Sequence, residues 1–508
     1  MRLIDYLEKG ASLDPDAPCL TTDGASRSYA EVVALADRVA SALVASGIRP
    51  GATVAVLSSN DPVAFASVFG ISRAGAKWCP INPRNEAAEN LELLRLFGCE
   101  AMIFASSYAP LVEQIRATLP ALTTLVCLDS DVPGALAWQE FLDRATPTQA
   151  WPDPVGDTMM IVGTGGTTGR PKGVLLTDRN LETMSALTLM SYPFEGRPVY
   201  LALAPLTHAA GVLCFPVLAK GGEIVVMRAP DVGGFLELVE RHRVTHTFLP
   251  PTLIYMVLGH EALPAADLSS LQCFWYGAAP MSAARLEEAL SRIGPVMAQL
   301  FGQTEAPMMI STMAPADHFH EDGSIALGRL GSAGRPTPLV RLAVMDEQGT
   351  LLPTGAHGEI VVRSSLVMAG YHQDPEATAE ASRFGWHHTG DIGYLDGEGY
   401  LYIVDRAKDM IITGGFNVYS TEVEQALMEH HSVHDCAVIG LPDDKWGERV
   451  TAVVEAADGI DVDDLIRFVK GRIGSVKAPK QVEVWPELPR SKVGKVLKSE
   501  IKAVLQSG

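Results

Sequence analysis

The stretch "TMMIVGTGGTTGRPKGVLL", Thr158 to Leu176, constrains the fold more than any other. It holds the glycines, threonines and lysine of a phosphate cradle, but not in P-loop order, where Lys directly follows Gly and precedes Ser or Thr. Lys172 instead follows Pro171 and precedes Gly173. Proline lacks a backbone N–H and keeps the residue before it out of the helical region. No helix can therefore run its N-terminus through this lysine, and the cradle must be a loop. Thr158 to Val162 is a short apolar run that reads as a buried strand. Downstream, "VLLTDRNLETMSALTLM" offers Thr177 or Asp178 as an N-cap ahead of apolar residues at helical spacing. The pattern predicts strand, Gly/Thr loop, short strand, helix. Thr164, Thr167 and Thr168 supply hydroxyls, and the glycines let backbone N–H groups approach oxyanions. Taken alone, the stretch also suits a surface turn that binds nothing.

The rest of the chain supplies the surroundings. With 508 residues it is too long for one core. Helical and strand patterns alternate to about residue 300, as in "YAEVVALADRVASALVASGI", "ATVAVLS" and "THTFLP", which is an α/β layered pattern. From about 325 to 404, Gly/Pro turns separate short apolar runs, and a β-rich subdomain is expected. After Lys408 the pattern is that of a compact α+β module. The expected fold class is α/β: a large N-terminal domain, residues 1–405, of layered α/β subdomains plus the β-rich one, and a small mobile α+β C-terminal domain, residues 406–508.

Hydrophobic residues at 47% and charged residues at 20% suit a soluble globular protein. The formal net charge of −20 argues against nucleic acid as the main partner. The segment from Leu465 onward is basic, with ten Lys/Arg against three Glu, and suits either an anionic small molecule or a solvated helical face. Cys19, Cys79, Cys99, Cys127, Cys214, Cys273 and Cys436 are scattered, with neither disulfide nor zinc spacing. The first residues, with early acidic groups and no long apolar run, are not expected to act as a signal peptide. Val199 to Ala219 lacks charge and has the length of a membrane span, but Pro205, His208 and Pro216 interrupt it, so a buried strand–loop–helix passage is expected. A cytoplasmic location is expected.

Further segments carry chemistry. "FGQTE" ends in Glu305, a carboxylate that would repel a nearby phosphate unless Mg²⁺ were shared between them. Asp391, in the Gly-rich "HTGDIG", suits a ribose diol or a turn cap. Gly414 and Gly415 follow a strand, and Lys495 in "PRSKVGK" is a point charge for an oxyanion.

Six segments, "TGGTTGRPKG", "PLTH", "YGAAP", "FGQTE", "TGD…DRAKD" and "PRSKVGK", occur in the order found in the adenylate-forming superfamily. The chain resembles that superfamily, which includes acyl-CoA synthetases, peptide-synthetase adenylation domains and beetle luciferases, over nearly its whole length. The resemblance implies that Thr164, Gly165, Gly166, Thr167, Thr168, Gly169 and Lys172 hold the β- and γ-phosphates of ATP. It implies that Gly277, Ala278 and Ala279 line the adenine, with Phe301, Gly302, Gln303 and Ile403 around the nucleotide. Thr304 would contact the α-phosphate, Glu305 with Thr168 would bind Mg²⁺, and Asp391 with Arg406 would hold the ribose. Lys495 would bridge the acid carboxylate and the α-phosphate. Lys408 would be the hinge, and Gly414, Gly415 and Trp446 would meet coenzyme A. Trp446 suits a packed interface equally well.

His208, Trp275, Tyr276, Gly277, Met308 and Met309 would line the acyl pocket. They include no Lys or Arg for a second carboxylate, so an apolar aryl or medium-chain acid is expected. The implied activity is an ATP-dependent acid–CoA ligase that passes through an acyl-adenylate. Alternatives are loading of a carrier-protein thiol and a non-catalytic nucleotide-binding regulator. The partners expected are a small carboxylic acid and, in a homodimer, a second copy of the chain. Departures from the family's usual residues are Gly163 for Tyr or Phe, Gly165 for Ser, Phe416 for Glu and Ser420 for Pro. The glycines are expected to make the phosphate loop more mobile.

Overall fold

The computed structural model describes the chain except residues 23, 147–149, 165–170, 407–408, 415, 444–445, 457–458, 491–495 and 508, and the side chains of 417 and 507. Two large sheets dominate the first part. One has nine strands, with a parallel centre that includes Val199–Ala202, His246–Leu249, Cys273–Gly277 and Met297–Gln303. The other has eight, with Thr53–Leu57 and Lys77–Pro80 parallel at its centre. The largest core joins them: Val54, Trp78 and Val174 from the eight-stranded sheet share it with Tyr200, Trp275 and Leu300 from the nine-stranded one. Helices Leu3–Leu13, Tyr29–Ala45 and Pro62–Arg73 pack into the same core. This is the layered α/β arrangement that the alternating pattern predicts.

Local sequence explains the elements that position the site. Strand Thr158–Thr164 pairs antiparallel with Lys172–Thr177, placing Thr164 opposite Lys172 at the open end. The Gly/Thr segment thus connects the strands of a hairpin. Thr177, not Asp178, is the N-cap of helix Asp178–Ser191: its hydroxyl accepts from Asn180 N at 3.2 Å, and Asn180 Oδ1 accepts from Thr177 N at 2.8 Å. Such reciprocal capping satisfies two otherwise orphaned donors. The amide of Asn180 donates to Ser365 O and Val367 O, which holds the chain entering the short strand Gly370–Tyr371. That strand adds to the edge of Lys172–Thr177.

The apolar stretch from Val199 divides as expected, into strand Val199–Ala202 and helices Ala209–Val212 and Cys214–Ala219. Among the described residues, no helix is long and apolar enough to cross a membrane. A four-stranded antiparallel sheet, Arg341–Met345, Gly358–Arg363, His387–Leu395 and Leu401–Arg406, forms the β-rich part. Beyond it, the hairpin Ile411–Thr413 and Phe416–Val418 joins the long strands Val433–Asp443 and Gly447–Ala456, with helices Ser420–Met428 and Val462–Lys477 over a separate core.

Candidate active site

Thr304 and Glu305 sit at the tip of a tight hairpin, because strand Met297–Gln303 turns straight into Ala306–Met313 and Gln303 pairs with Ala306. The tip lies at the carboxyl end of a parallel strand, where open α/β sheets bind their ligands. Glu305 is fixed twice. Its carbonyl accepts from Met368 N at 2.7 Å, and its Oε1 accepts from the Tyr371 hydroxyl at 2.9 Å. The Tyr371 ring also carries the Lys172 ammonium 4.9 Å from its centroid. Burial, then the Glu305 charge, push the Tyr371 phenol well above its usual range, so it stays a donor.

Gln303 crosses to the β-rich sheet. Its amide donates to Thr389 O at 3.0 Å, and its Oε1 accepts from His387 Nε2 at 2.8 Å. Burial lowers the His387 pKa to about 4, so the ring stays neutral. Two residues past Thr389, the buried carboxylate of Asp391 meets Arg406 Nε at 2.7 Å across the strand pair. Phe301 and Ile403 pack against one small core, with Ala333, Ile360 and Leu401. Lys172, Glu305, Gln303, Asp391 and Arg406 are therefore linked through Tyr371 and Thr389.

Gly277 and Gly302 have packing reasons for lacking a side chain. A Cβ on Gly277 would lie 2.4 Å from Leu300 O, and one on Gly302 would lie 2.3 Å from Met308 N. Next to each the backbone is unusual: Ala278, which follows Gly277, and Met308, whose N lies against Gly302, have φ of 66° and 62°. A left-handed conformation at non-glycine residues is strained and clusters at functional sites. Ala279 follows Ala278 in the same turn.

Trp275, one of the residues expected to form the acyl-pocket wall, is fully buried. Rings of Tyr192, Phe194, Tyr200 and His246 lie 5.7, 6.1, 6.1 and 5.1 Å from it, centroid to centroid. The expectation that Tyr276 shares this wall is corrected. Side chains alternate along a strand, so Tyr276 points into the opposite core, where its hydroxyl meets His318 Nε2 at 3.0 Å. Met309 is buried and Met308 half-buried against the core that holds Trp275. His208 directly precedes helix Ala209–Val212, its Nδ1 2.9 Å from the Thr207 hydroxyl. The loop carrying it hangs on buried Asn60, whose Oδ1 accepts from Leu206 N and whose amide donates to Leu203 O and Ala204 O.

Gly414 and Trp446 form a separate pair in the smaller domain: Gly414 N donates to Trp446 O at 2.7 Å, and its φ is 57°. A Cβ there would lie 3.1 Å from the indole. Gly165, Gly166, Thr167, Thr168, Gly169, Lys408, Gly415 and Lys495 lie outside the described residues. Gly163 is strand-paired to Gly173, and the Phe97 ring lies over both, so this departure leaves room for that ring. Sequence reasoning missed Tyr371, Asn60 and the rings around Trp275.

The AMP-binding enzyme family matches residues 7–372, and its C-terminal domain matches residues 422–495. The chain belongs to the AMP-binding enzyme family. It is 36% identical over 499 residues to the medium/long-chain fatty-acid–CoA ligase FadD8 of Mycobacterium tuberculosis, covering 93% of this chain and 85% of that one. It is 37% identical over 502 residues to feruloyl-CoA synthase of an Amycolatopsis species, covering 97% and 96%. Among solved structures, amide bond synthetase McbA of Marinactinospora thermotolerans superposes with a TM-score of 0.90 at 31% identity, covering 99% of each chain. This AMP-binding enzyme is a carboxylic acid ligase of the AMP-forming kind.

Proposed function

We propose that the chain joins an apolar aryl or medium-chain acid to coenzyme A at the expense of ATP. The observation that carries this reading is the linked set Lys172–Tyr371–Glu305, joined through Gln303 and Thr389 to the Asp391–Arg406 pair. A carboxylate oxygen attacks the α-phosphorus of ATP, and pyrophosphate leaves. The CoA thiol then attacks the acyl carbon, the mixed-anhydride C–O bond breaks, and AMP leaves as the thiol proton is lost.

Lys172 and Thr164 face the phosphates with the Gly165–Gly169 segment, and Asp391 takes the ribose diol with Arg406 beside it. Lys495 offsets the repulsion between the acid and the α-phosphate, usually the largest catalytic contribution in such sites. Glu305 suits Mg²⁺. Its carboxylate is a hard oxygen donor oriented by a hydrogen bond, and among the described residues no group of three or more His, Cys, Asp or Glu gathers to cage a metal. Mg²⁺ commonly takes one or two carboxylates and otherwise phosphates and water. Glu305 with Thr168 would hold it, and it would supply neutralisation of phosphate charge. Residues 1–405 form the adenylating domain and 406–508 a lid that turns about Lys408, which brings Gly414, Gly415 and Trp446 to the pantetheine arm. His208, Gly277, Met308 and Met309 line the acid. The protein works in the cytoplasm.

The reading is tested by incubating the protein with ATP, Mg²⁺, CoA and a mixed panel of aryl and aliphatic acids, then identifying products by mass spectrometry. A dominant acyl-CoA from an aryl or medium-chain acid is expected. Acyl-adenylates with no thioester would redirect the acceptor to a carrier-protein thiol or an amine. No adenylate with any acid would sink the reading.

A further inference from the structure

Tyr371 is the one described side chain that touches both charged groups of the phosphate side. Its hydroxyl holds Glu305 Oε1 at 2.9 Å and its ring carries the Lys172 ammonium at 4.9 Å. Neither contact is incidental to its placement. The strand Gly370–Tyr371 is set against Lys172–Thr177, with Tyr371 opposite Val174. Tyr371 N donates to Thr378 Oγ1 at 2.9 Å, and the Thr378 hydroxyl donates on to Asp374 O. The preceding residues are held by Asn180, by Glu305 O and by Leu175 O.

A lysine and a glutamate placed near each other ordinarily close into an ion pair, which would neutralise both groups. Lys172 and Glu305 do not pair with each other here; each meets Tyr371 instead. The aromatic face satisfies the cation without taking its charge. The phenol occupies one carboxylate oxygen and orients the other. Both groups then keep their charge for a ligand that carries phosphate oxygens and a hard cation together.

We propose that Tyr371 is a positioning residue that keeps Lys172 and Glu305 apart and oriented, so that one magnesium–triphosphate unit is held by both. This rests on the ATP-facing reading of Lys172 and Glu305 given above. Tyr371 touches no reacting atom. Its effect is on metal and nucleotide binding, not on the acid.

Two variants separate its two contacts. Tyr371→Phe keeps the ring under Lys172 and removes the hydroxyl. Tyr371→Leu removes both. Binding of ATP, titrated calorimetrically at a series of Mg²⁺ concentrations without acid, is compared with that of the wild type, Lys172→Ala and Glu305→Gln. Loss of a hydrogen bond to a charged group predicts that Tyr371→Phe needs about tenfold more Mg²⁺ for half-maximal ATP binding. Binding without Mg²⁺ and the KM for the acid should stay unchanged. Tyr371→Leu should also weaken Mg²⁺-free ATP binding, by about threefold or more for a lost cation–π contact. Tyr371→Phe combined with Glu305→Gln should add little to Glu305→Gln alone, since the two act as one unit.

If Glu305→Gln and Lys172→Ala impair binding but Tyr371→Phe keeps a wild-type Mg²⁺ requirement, Tyr371 is packing only and the proposal fails. An equal rise in the KM of acid and ATP would overturn it as well. If Glu305→Gln and Lys172→Ala leave ATP binding unchanged, the ATP-facing reading falls and the proposal falls with it.

Discussion

The backbone N–H of Ser420 donates to Asp405 Oδ2 at 2.5 Å, and its hydroxyl donates to Oδ1 of the same carboxylate at 2.9 Å. Lys498 Nζ completes the group, 2.5 Å from Ser420 Oγ and 2.7 Å from Glu424 Oε1. Asp405 lies before residues 407–408 and the other three after them. Burial raises the Asp405 pKa; it also opposes the Lys498 charge, but Glu424 and Asp405 outweigh it and raise the lysine's pKa. The proline common at position 420 would have no N–H to give.

Ser420→Pro is therefore expected to loosen the junction. Ser420 is the first residue of its helix, where proline is well tolerated, so the helix itself should survive. Losing bonds to a charged group costs about 1.5–3 kcal/mol each at most. Pyrophosphate release and thioester formation, timed separately, should change in ratio. An unchanged ratio would mean the Asp405 contact survives any rotation of the small domain.

Trp275→Ala should shift the preference of the enzyme toward longer acids, read as relative kcat/KM across a chain-length series. The truncation also costs stability, about 3–5 kcal/mol for a buried Trp. Trp275→Leu, with less lost volume, is the milder partner variant and should shift preference in the same direction. If both variants fold and neither changes the ranking of acids, the indole is core and has no part in selection.

Asp391→Asn removes charge while keeping shape beside Arg406. The KM for ATP should rise by about tenfold or more, as for a lost charged hydrogen bond. The KM for the acid should hold. Equal changes in both would point to a collapsed sheet edge instead.

What the sequence revealed and what it hid divide along contact range. The helix start at Thr177 or Asp178 and the two paired strands that flank the Gly/Thr segment are local, and residue type with spacing is enough to read that much of them. The six ordered segments likewise carry their own signal. Tyr371 meets Glu305 across 66 positions, and Asn60 reaches Leu206 across 146. No spacing rule links such pairs, so "MAGYH" and "SSNDP" looked unremarkable. Tyr276 is different: strand alternation was available from "CFWYG" and already forbids adjacent residues from sharing a wall. The Phe97 ring over Gly163 and Gly173 is equally hidden, because a missing side chain does not announce which distant one fills its place.

His246 gives a pH test. Its Nδ1 accepts from the Thr245 hydroxyl at 2.7 Å and its Nε2 donates to Pro193 O at 2.9 Å, as a neutral ring must. It stacks on Phe194 at 4.2 Å, and burial lowers its pKa from 6.5 to about 4. The unfolded chain binds the extra proton between these values and the folded one does not. Stability should thus rise with pH across that window and be lost as pH falls from about 6.5 toward 4, by at most about 1.4 kcal/mol per unit for this group. His246→Phe keeps the stack and cannot titrate. It should be less stable than wild type at pH 7.5, with the gap narrowing at pH 5 in denaturant titrations. A gap independent of pH would mean the ring does not titrate between the two states.

Lys495→Ala separates the two chemical steps. Bringing a carboxylate to the α-phosphate puts two anions together, and a lysine there acts only while that bond forms. Adenylate formation should fall by about 100-fold or more, the size of loss seen when a charge-stabilising donor is removed. Thioester formation from a supplied acyl-adenylate begins after that bond exists and should stay within about threefold of wild type, which locates the lost interaction in the first transition state. Pyrophosphate exchange measures the first step and mass-detected acyl-CoA the second. Equal losses in both would place Lys495 at the site throughout, and would contradict a rotation that exchanges it for the Gly414–Gly415 segment.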